Sequence, residues 1–337
     1  MPPAKPHLSV ALITILGVGG LLVGLLVGPG LGPGDLPGLF AGTKAWLTGI
    51  FVLRLGRTLL GLVVGAALGL AGAALQGLTR NPLADPFLTG VSAGAGTGVA
   101  LAALLGLGAG FFGYLGRQLF AFAGGLGAAL AVWGLAGRGR ASRSGLIVAG
   151  VVTNATLSGV ILLILAWLPV FSQGAVLAWL LGDLSTPYVE WWPLLFTVAL
   201  VSAAGVYLFL RAPALDALAM GEAQAHSLGV DLEGLRRGIL LAASLATAAV
   251  TAFAGIVPFV GLVAPHLVRV TTGAGHRRLF PLAALVGAVL VLTADNLVRL
   301  ALIYLRLPSL PLGAALALAG GPFFFHIYRR SGRGELL

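Results

Sequence analysis

The sequence has no cysteine and very little charge, and both absences limit what the protein can be. Without cysteine, the chain of 337 residues can form neither disulfides nor thiolate metal sites. Charged residues make up only 9% of it, against about 25% in ordinary soluble domains. So few charges could not cover the core of a soluble chain of this length. Because 58% of the residues are hydrophobic, we expect lipid to be the main solvent.

A nucleotide-binding loop is also missing. The lysines are Lys5 and Lys44, and neither stands in a Gly-x-x-x-x-Gly-Lys phosphate loop. The chain therefore cannot bind ATP through that loop. If its activity is driven by ATP, the nucleotide site must belong to another chain.

Long apolar runs predict an all-α polytopic membrane protein with about ten transmembrane helices in one domain, residues 1–337. A spanning helix needs about 20 apolar residues, and stretches free of Asp, Glu, Lys and Arg recur along the whole chain. Two of these stretches are too long for one span and are broken near Pro169 and Pro258, which leaves a short extra helix at about 174–182. The spans are predicted near 8–28, 52–78, 88–107, 118–137, 145–168, 191–210, 238–256, 258–271, 280–303 and 311–328.

The basic residues indicate how these spans are oriented. Although the net charge is +10, the lysines and arginines form short clusters between apolar runs, which is the pattern of the positive-inside rule rather than of a nucleic-acid-binding face. Of the 20 lysines and arginines, 14 fall on one side of the predicted spans and six on the other. We therefore expect both termini to be cytoplasmic. We also expect the spans to be surrounded by membrane lipid and the chain to bind no nucleic acid.

Small residues recur at every fourth position of the second span. Such a ridge lets another helix approach closely in lipid. It predicts tight packing inside one bundle, and a central, pore-adjacent helix fits the same pattern. The ridge consists of Gly61, Gly65, Gly69, Ala73 and Gly77.

Polar groups flank this second span. Arg54 and Arg57 lie one turn apart at its external end, where arginines either snorkel towards the headgroups or present a basic patch to an acidic partner. Arg299, on the ninth span, could join them. At the internal end, the prolines and Asn81 of segment 80–86 force a non-helical linker, which is either a simple turn or a constriction at the inner mouth of a pore.

One carboxylate, Asp295, is predicted in the middle of the ninth span. Charge is costly in lipid, so an acid there is a functional candidate by default. Arg299 lies four residues further on, so the two can pair and lower that cost. We interpret Asp295 as a paired structural acid. The alternative is an ion-coupled secondary transporter that uses it.

Ser92 lies in a Gly-x-Ser-x-Gly pattern at residues 90–94, like the nucleophile of serine hydrolases. That motif needs a strand before it and a helix after it within a sheet, and here an apolar, glycine-rich helix begins. An intramembrane enzyme using Ser92 or His266 is the less favoured alternative, and we expect no catalytic residue.

The internal segment 212–237 carries too many polar residues to be a span. Ala214–Leu228 is rich in helix-forming residues, with Asp216 to cap its start and Gly229 to end it. We therefore expect one short helix on the cytoplasmic face. It either lies in the lipid interface or docks a cytosolic protein, and its acidic residues favour the protein.

Several motifs now stand in one register along the chain. They are Arg54–Leu60 (RLGRTLL), Arg80–Ser92 (RNPLADPFLTGVS), Leu218–Gly229, Gly255–Arg269 (GIVPFVGLVAPHLVR), and Leu310–Gly313 (LPLG) with Gly320–Phe324 (GGPFF). Together they resemble the permease family of ABC importers for iron-siderophores, haem and cobalamin. The similarity covers essentially the whole chain.

The resemblance implies a type II importer permease with ten spans that works as a homodimer, with the transport pathway between the two copies. Two ABC ATPase subunits would dock from the cytosol, and a periplasmic or lipid-anchored binding protein would deliver the substrate. This subunit would have no ATPase site, cofactor or metal site of its own. It would lie in the bacterial cytoplasmic (inner) membrane and import an iron-siderophore-type chelate by alternating access, with cobalamin or haem as alternatives.

The resemblance also assigns roles by position. The residues that match binding-protein contacts are Arg54, Arg57 and Arg299. Those that match the gates are Asn81, Pro82, Leu83, Ser142 and Arg143. Those that match the ATPase-coupling helix, at about 214–229, are Leu218, Gly221, Glu222, Ala225, His226, Leu228 and Gly229. The helix near 174–182 would line the pathway. The chain departs from the family's usual residues at Gly56, Asp183 and Ser309.

Overall fold

The computed structural model describes residues 6–26, 45–107, 110–136, 143–184, 191–273, 275–304 and 310–331. Within these residues the chain forms thirteen α-helices and no strand, which confirms the all-α prediction. The helices are α1 (Pro6–Leu26), α2 (Ala45–Thr79), α3 (Val91–Leu104), α4 (Gly110–Leu135), α5 (Arg143–Trp167), α6 (Val170–Leu180), α7 (Trp191–Leu210), α8 (Ala212–Met220), α9 (Glu222–Ser227), α10 (Leu232–Ala254), α11 (Val260–Thr272), α12 (His276–Tyr304) and α13 (Leu312–Ser331).

Each of the ten predicted spans corresponds to a helix. Among the described residues, six helices are long and apolar enough to cross a membrane, namely α2, α4, α5, α7, α10 and α12. The other four predicted spans correspond to α1, α3, α11 and α13. The helix α11 has 13 residues and rises only about 20 Å. It is short because Phe259 (φ 67°) and Gly273 (φ 92°), at its two ends, adopt positive φ values.

The helix α2 is the centre of the bundle. In its most apolar stretch 78% of the residues are buried inside the chain, whereas the corresponding value is 28% for α5 and for α7. Its buried side chains, including Val64, Leu68 and Leu75, belong to a core shared with α8, α10, α11 and α12. The exposed apolar faces of α5 and α7 therefore remain for lipid or for another protein.

The small-residue ridge of α2 packs against α12. A Cβ atom at Gly65 would collide with the carbonyl oxygen of Gly287, and one at Gly69 with that of Ala283. A step of four residues forward on α2, from Gly65 to Gly69, matches a step of four residues backward on α12, from Gly287 to Ala283. The two helices therefore run antiparallel in a fixed register. The predicted tight packing is confirmed, and a pore-adjacent place for α2 stays a prediction.

Backbone contacts at glycine join the ends of α6 and α10 to the start of α13. The amide of Asp183 donates to the carbonyl of Ala254 at 2.9 Å, and the amide of Gly313 donates to the carbonyl of Gly182 at 3.2 Å. Gly182 (φ 72°) and Gly255 (φ 67°) have left-handed backbones. We call Gly182, Gly255 and Gly313 the glycine junction. The helix leading into it, α6, begins four residues before the short helix predicted at 174–182.

The segment predicted as one helix from Ala214 to Leu228 is instead two helices, α8 and α9. Gly221 separates them with φ 134° and ψ 153°, a backbone conformation essentially restricted to glycine. Asp216 does not cap the start of α8, because its carboxylate accepts from residue 276. Gly229, with φ 78°, follows the end of α9 as predicted.

Candidate functional sites at the two ends of the bundle

Charged side chains meet at the end of the bundle where α2 begins and α12 ends. Asp295, whose side chain is 1% exposed, accepts from Arg57 Nη2 at 2.6 Å and from Arg57 Nε at 3.0 Å. Its second oxygen lies 3.1 Å from Arg299 Nη2. Asp183 is 3.8 Å from Arg57 Nη2. We call Arg54, Arg57, Asp183, Asp295 and Arg299 the Arg57 cluster. It joins α2, α12 and the segment after α6.

The Arg57 cluster also holds α1 in place. Arg299 Nη1 donates to the carbonyl of Gly24 at 3.0 Å, and Arg54 Nη1 donates to that of Leu25 at 3.3 Å. Asn296 Nδ2 donates to the carbonyl of Gly20 at 2.8 Å. Gly24 and Leu25 are among the last four residues of α1, whose carbonyl groups no helical amide reaches, so the two arginines satisfy them.

This geometry bears on two predictions. The pair between Asp295 and Arg299, expected from their four-residue spacing, is confirmed, and the structure adds Arg57 as a second and closer partner. Arg54 and Arg299 are only 6% and 7% exposed, so they lie inside the bundle rather than on an open basic patch. Of the three predicted docking arginines, Arg57 is the most accessible, at 20%. Docking at these positions stays a prediction.

A second group of charges lies at the opposite end, where α2 ends. Glu222, at the start of α9, binds Arg80 Nη2 through Oε1 at 3.2 Å and Arg236 Nη2 through Oε2 at 2.8 Å. We call Arg80, Glu222 and Arg236 the Glu222 cluster. The Glu222 side chain is 43% exposed, so water reaches this cluster. It ties α9 to the end of α2 and to the first turns of α10.

The helix α8 is fixed to the bundle by a different contact. Asp216 Oδ1 accepts from the backbone amide of His276 at 3.0 Å and lies 2.6 Å from His276 Nδ1. The His276 side chain is 5% exposed and contacts the ring of Phe280. Leu215 and Leu218 of α8 are fully buried beside it. This helix is therefore part of the packed core.

The linker between α2 and α3 is a short, internally bonded turn. Ala84 N donates to the Asn81 carbonyl at 3.1 Å, and Leu83 N donates to Asn81 Oδ1 at 2.9 Å. Pro82 and Leu83 at its tip are exposed. The predicted gate residues Asn81, Pro82 and Leu83 thus form one turn, and whether it gates a pathway stays a prediction.

Asp85 completes this linker. Its carboxylate accepts from the backbone amide of Phe87 at 2.8 Å and caps the 3-10 turn Pro86–Thr89. Burial raises the pKa of the Asp85 carboxyl from 3.8 to about 6, and the Phe87 hydrogen bond opposes that rise. The linker therefore contains an acid that titrates near neutral pH.

The predicted ATPase-coupling residues divide into exposed and buried groups. His226, Leu228 and Gly229 are exposed, while Leu218 and Ala225 face the bundle. Gly221 and Glu222 are half-buried between them. Of the second predicted gate, Ser142 lies outside the described residues. Arg143 is the first residue of α5, and the position of its side chain is not among the described features.

A cavity of about 440 Å³ lies between α3, α5 and α6. Its polar lining comes from Ser92, Asn154 and Ser158, and the remaining described lining residues are apolar. None of these described residues is ionisable, so Ser92 has no acid or base beside it there. The intramembrane hydrolase alternative therefore gains no support from this cavity.

The comparisons with known proteins agree with this architecture. The sequence profile of the FecCD transport family matches residues 15–330. The chain belongs to that family. A solved structure described as an inward-facing conformation of a metal-chelate type ABC transporter superposes with a TM-score of 0.80 at 30% identity, and the match covers 94% of this chain and 97% of that one. The chain therefore has the fold of a type II ABC importer permease.

Two curated relatives are permeases of known systems. The cobalamin import system permease protein BtuC of Halobacterium salinarum is 37% identical over 281 residues, which are 82% of this chain and 72% of that protein. The hemin transport system permease protein HmuU of Yersinia pestis is 34% identical over 322 residues, or 95% and 93% of the two chains. This FecCD chain is thus a multi-pass ABC importer permease, of the kind that pairs with ATPase and substrate-binding partners.

Proposed function

We propose that this chain forms a homodimeric permease that imports a metal chelate across the cytoplasmic membrane by alternating access, with a separate pair of ABC ATPases as the motor. The Glu222 cluster, α8 and α9 face the cytosol, and the Arg57 cluster faces the substrate-binding protein. The observation that carries this proposal is the α8–α9 pair. It is a non-spanning element with an exposed outer surface, and its inner side chains contact Arg80, Arg236 and His276.

The exposed surface of α8 and α9 suits a protein partner. Met220 at the end of α8 is 61% exposed, and Leu228 after α9 is 63% exposed. His226 lies on the same exposed surface, and no lysine or arginine stands between Ala212 and Leu232 to hold lipid headgroups. Exposed apolar surface rimmed by polar residues marks sites of interaction with other proteins. We assign this surface to the ATPase subunit.

We assign the remaining roles from the family resemblance. The turn Asn81–Leu83 is the inner gate, with Ser142 and Arg143 as a second one, and α6 lines the pathway. The binding protein docks at the Arg57 end, where Arg57 and Asp183 are the accessible members of the cluster, at 20% and 45% exposure. The buried Arg54 and Arg299 keep these side chains in position.

The substrate is a metal chelate too large for a tight site. The cavity beside α6 has neutral polar groups and no charge among its described lining residues, so it offers weak contacts rather than a strong binding site. Relatives of similar identity are named for cobalamin and for hemin. Cobalamin, haem and a ferric siderophore are therefore the ligands to compare, in one assay.

A first test removes one exposed anchor. Leu228→Ser should weaken binding of the ATPase subunit about tenfold, because an apolar side chain that fills a partner's pocket contributes about 1–2 kcal/mol. Affinity of the detergent-solubilised permease for the purified ATPase, measured by biolayer interferometry, reports the change. The matched control is Leu105→Ser, since Leu105 is 64% exposed but follows α3. Equal affinities for the two variants would contradict the assigned surface.

A second measurement tests the motor. Vesicles containing the permease, its ATPase and its binding protein should take up one of the three chelates only when ATP is present on the side of the membrane that carries the ATPase. Uphill uptake by the permease alone, driven by a proton or sodium gradient, would overturn the proposal. That result would favour the ion-coupled alternative, in which Asp295 carries the coupling ion.

A further inference from the structure

The two short helices α8 and α9 differ in how extensively they pack against the bundle. The helix α8 buries Leu215 and Leu218 completely and holds His276 through two contacts of Asp216. The helix α9 has six residues and one fully buried side chain, Ala225. The ion pairs described for α9, with Arg80 and Arg236, both pass through Glu222. Thus α8 is fixed, whereas α9 has little packing to hold it.

Gly221 provides a pivot between the two helices. Its backbone, at φ 134° and ψ 153°, lies in a region that other residues avoid. A rotation there would move α9 while α8 keeps its place against α12. Because Glu222 is the first residue of α9, its side chain would move with that helix.

Glu222 reaches the residue that begins the Asn81–Leu83 turn. Its partner Arg80 has φ 50°, a left-handed backbone that is uncommon for a residue with a side chain. The amide of Asn81, directly after it, donates to the carbonyl of Gln76 at 3.2 Å. The position of the Arg80 side chain is therefore connected to the first backbone bond of the turn.

We propose that Glu222 is a positioning residue that transmits displacement of α9 to the Asn81–Leu83 turn through Arg80. This inference rests on the proposed function, in which an ATPase moves α9. The pair is suited to the task because both side chains are partly exposed, at 43% and 24%. Water can replace either partner, so the contact can break and re-form without leaving a bare charge buried. Arg236, the second partner, anchors α9 to α10 and does not lead to the turn.

The test uses a single thiol at the turn. The chain has no cysteine, so Leu83→Cys, at a position 40% exposed, gives the permease chain a single label site, which is followed in complex with the ATPase. In that background, ATP should change the rate of maleimide labelling about tenfold, within the usual range of coupling between sites. Glu222→Gln should reduce this change to less than about twofold. Labelling rates are compared at saturating ATPase, so that a change in ATPase affinity does not enter the comparison.

Two further variants distinguish transmission from a merely structural role. Arg80→Gln should remove the response as Glu222→Gln does, and the double variant should be no worse than either single one. Arg236→Gln is the matched control and should keep most of the response. An undiminished response in Glu222→Gln, or its loss in Arg236→Gln but not in Arg80→Gln, would overturn the inference alone. Failure of the unsubstituted permease to bind the ATPase would overturn the proposed function itself.

Discussion

The two charged clusters of this permease are built from the same chemical groups but sit in opposite environments. In the Arg57 cluster, Asp295 is 1% exposed and is held by two arginines. In the Glu222 cluster, the carboxylate also bridges two arginines but is 43% exposed. The carboxylate at the centre of the first cluster, Asp295, is closed off from water, and that of the second, Glu222, is open to it.

This difference separates a structural role from a moving one. Removing one partner from a buried ion pair leaves an uncompensated charge and costs several kcal/mol, whereas exposed pairs contribute between about 0 and 1 kcal/mol. The Arg57 cluster therefore stabilises one arrangement of α1, α2 and α12. The Glu222 cluster can change partners at little cost, which is what a contact between a motor-driven helix and a gate needs.

The largest expected effect comes from neutralising the buried acid. Asp295→Asn keeps the shape of the side chain but leaves Arg57 and Arg299 together without their shared carboxylate, and it should lower the free energy of unfolding by about 3–5 kcal/mol. Unfolding by SDS titration in mixed micelles measures the loss. Glu222→Gln is the matched acid-to-amide control and should cost less than about 1 kcal/mol. Similar losses in both variants would remove the distinction between the clusters.

A smaller effect should follow from separating the helices that carry the buried cluster. Gly65→Ala places a methyl group against the Gly287 carbonyl, so α2 must move away from α12, at a cost of about 1–3 kcal/mol. The control is Gly159→Ala on α5, where an added Cβ meets no atom within 4 Å. The same titration reports both variants, and a stable Gly65→Ala protein would contradict the close seam between α2 and α12.

The smallest effect concerns Asp85, beside the turn formed by residues 81–83. Its folded-state pKa of about 6 lies above the ordinary value of 3.8, so the folded state binds the proton more tightly. Stability contributed by the neutral form is therefore complete below about pH 4 and is lost as the pH rises through about 6. Because Asp85 is partly exposed, we expect roughly 1 kcal/mol. Asp85→Asn, which keeps the Phe87 acceptor, should match the wild type at pH 4 and exceed its stability at pH 7.

Contacts between residues close in sequence were largely predictable. Hydrophobic runs located every span helix, because the length and composition that lipid requires are local properties. The pair of Asp295 and Arg299 followed from helical spacing, and the spacing of Gly65 and Gly69 predicted a close helix contact. The spacing of these glycines does not indicate which helix packs against them, which in the structure is α12.

Contacts between distant residues were not predictable in the same way. Arg57 and Asp295 are 238 residues apart, and nothing local to either indicates the other. The sequence predicts that Asp216 caps its own helix, but in the structure its carboxylate accepts from the backbone amide of His276. Glycine inside a helical pattern costs only about 1 kcal/mol, so Gly221 alone does not predict a break between α8 and α9. In the structure, α8 is held by the contact of Asp216 with His276, while Glu222 binds Arg80 and Arg236, and the chain breaks between the two helices.

The glycine junction has a mechanical consequence. Since α6, α10 and α13 meet there through main-chain atoms, the end of α6 cannot shift without carrying the start of α13 and the end of α10 with it. Any displacement of the end of α6 should therefore be visible from α13. A spin label at Leu318, which is 79% exposed on α13, would therefore report motion of α6 from a different helix.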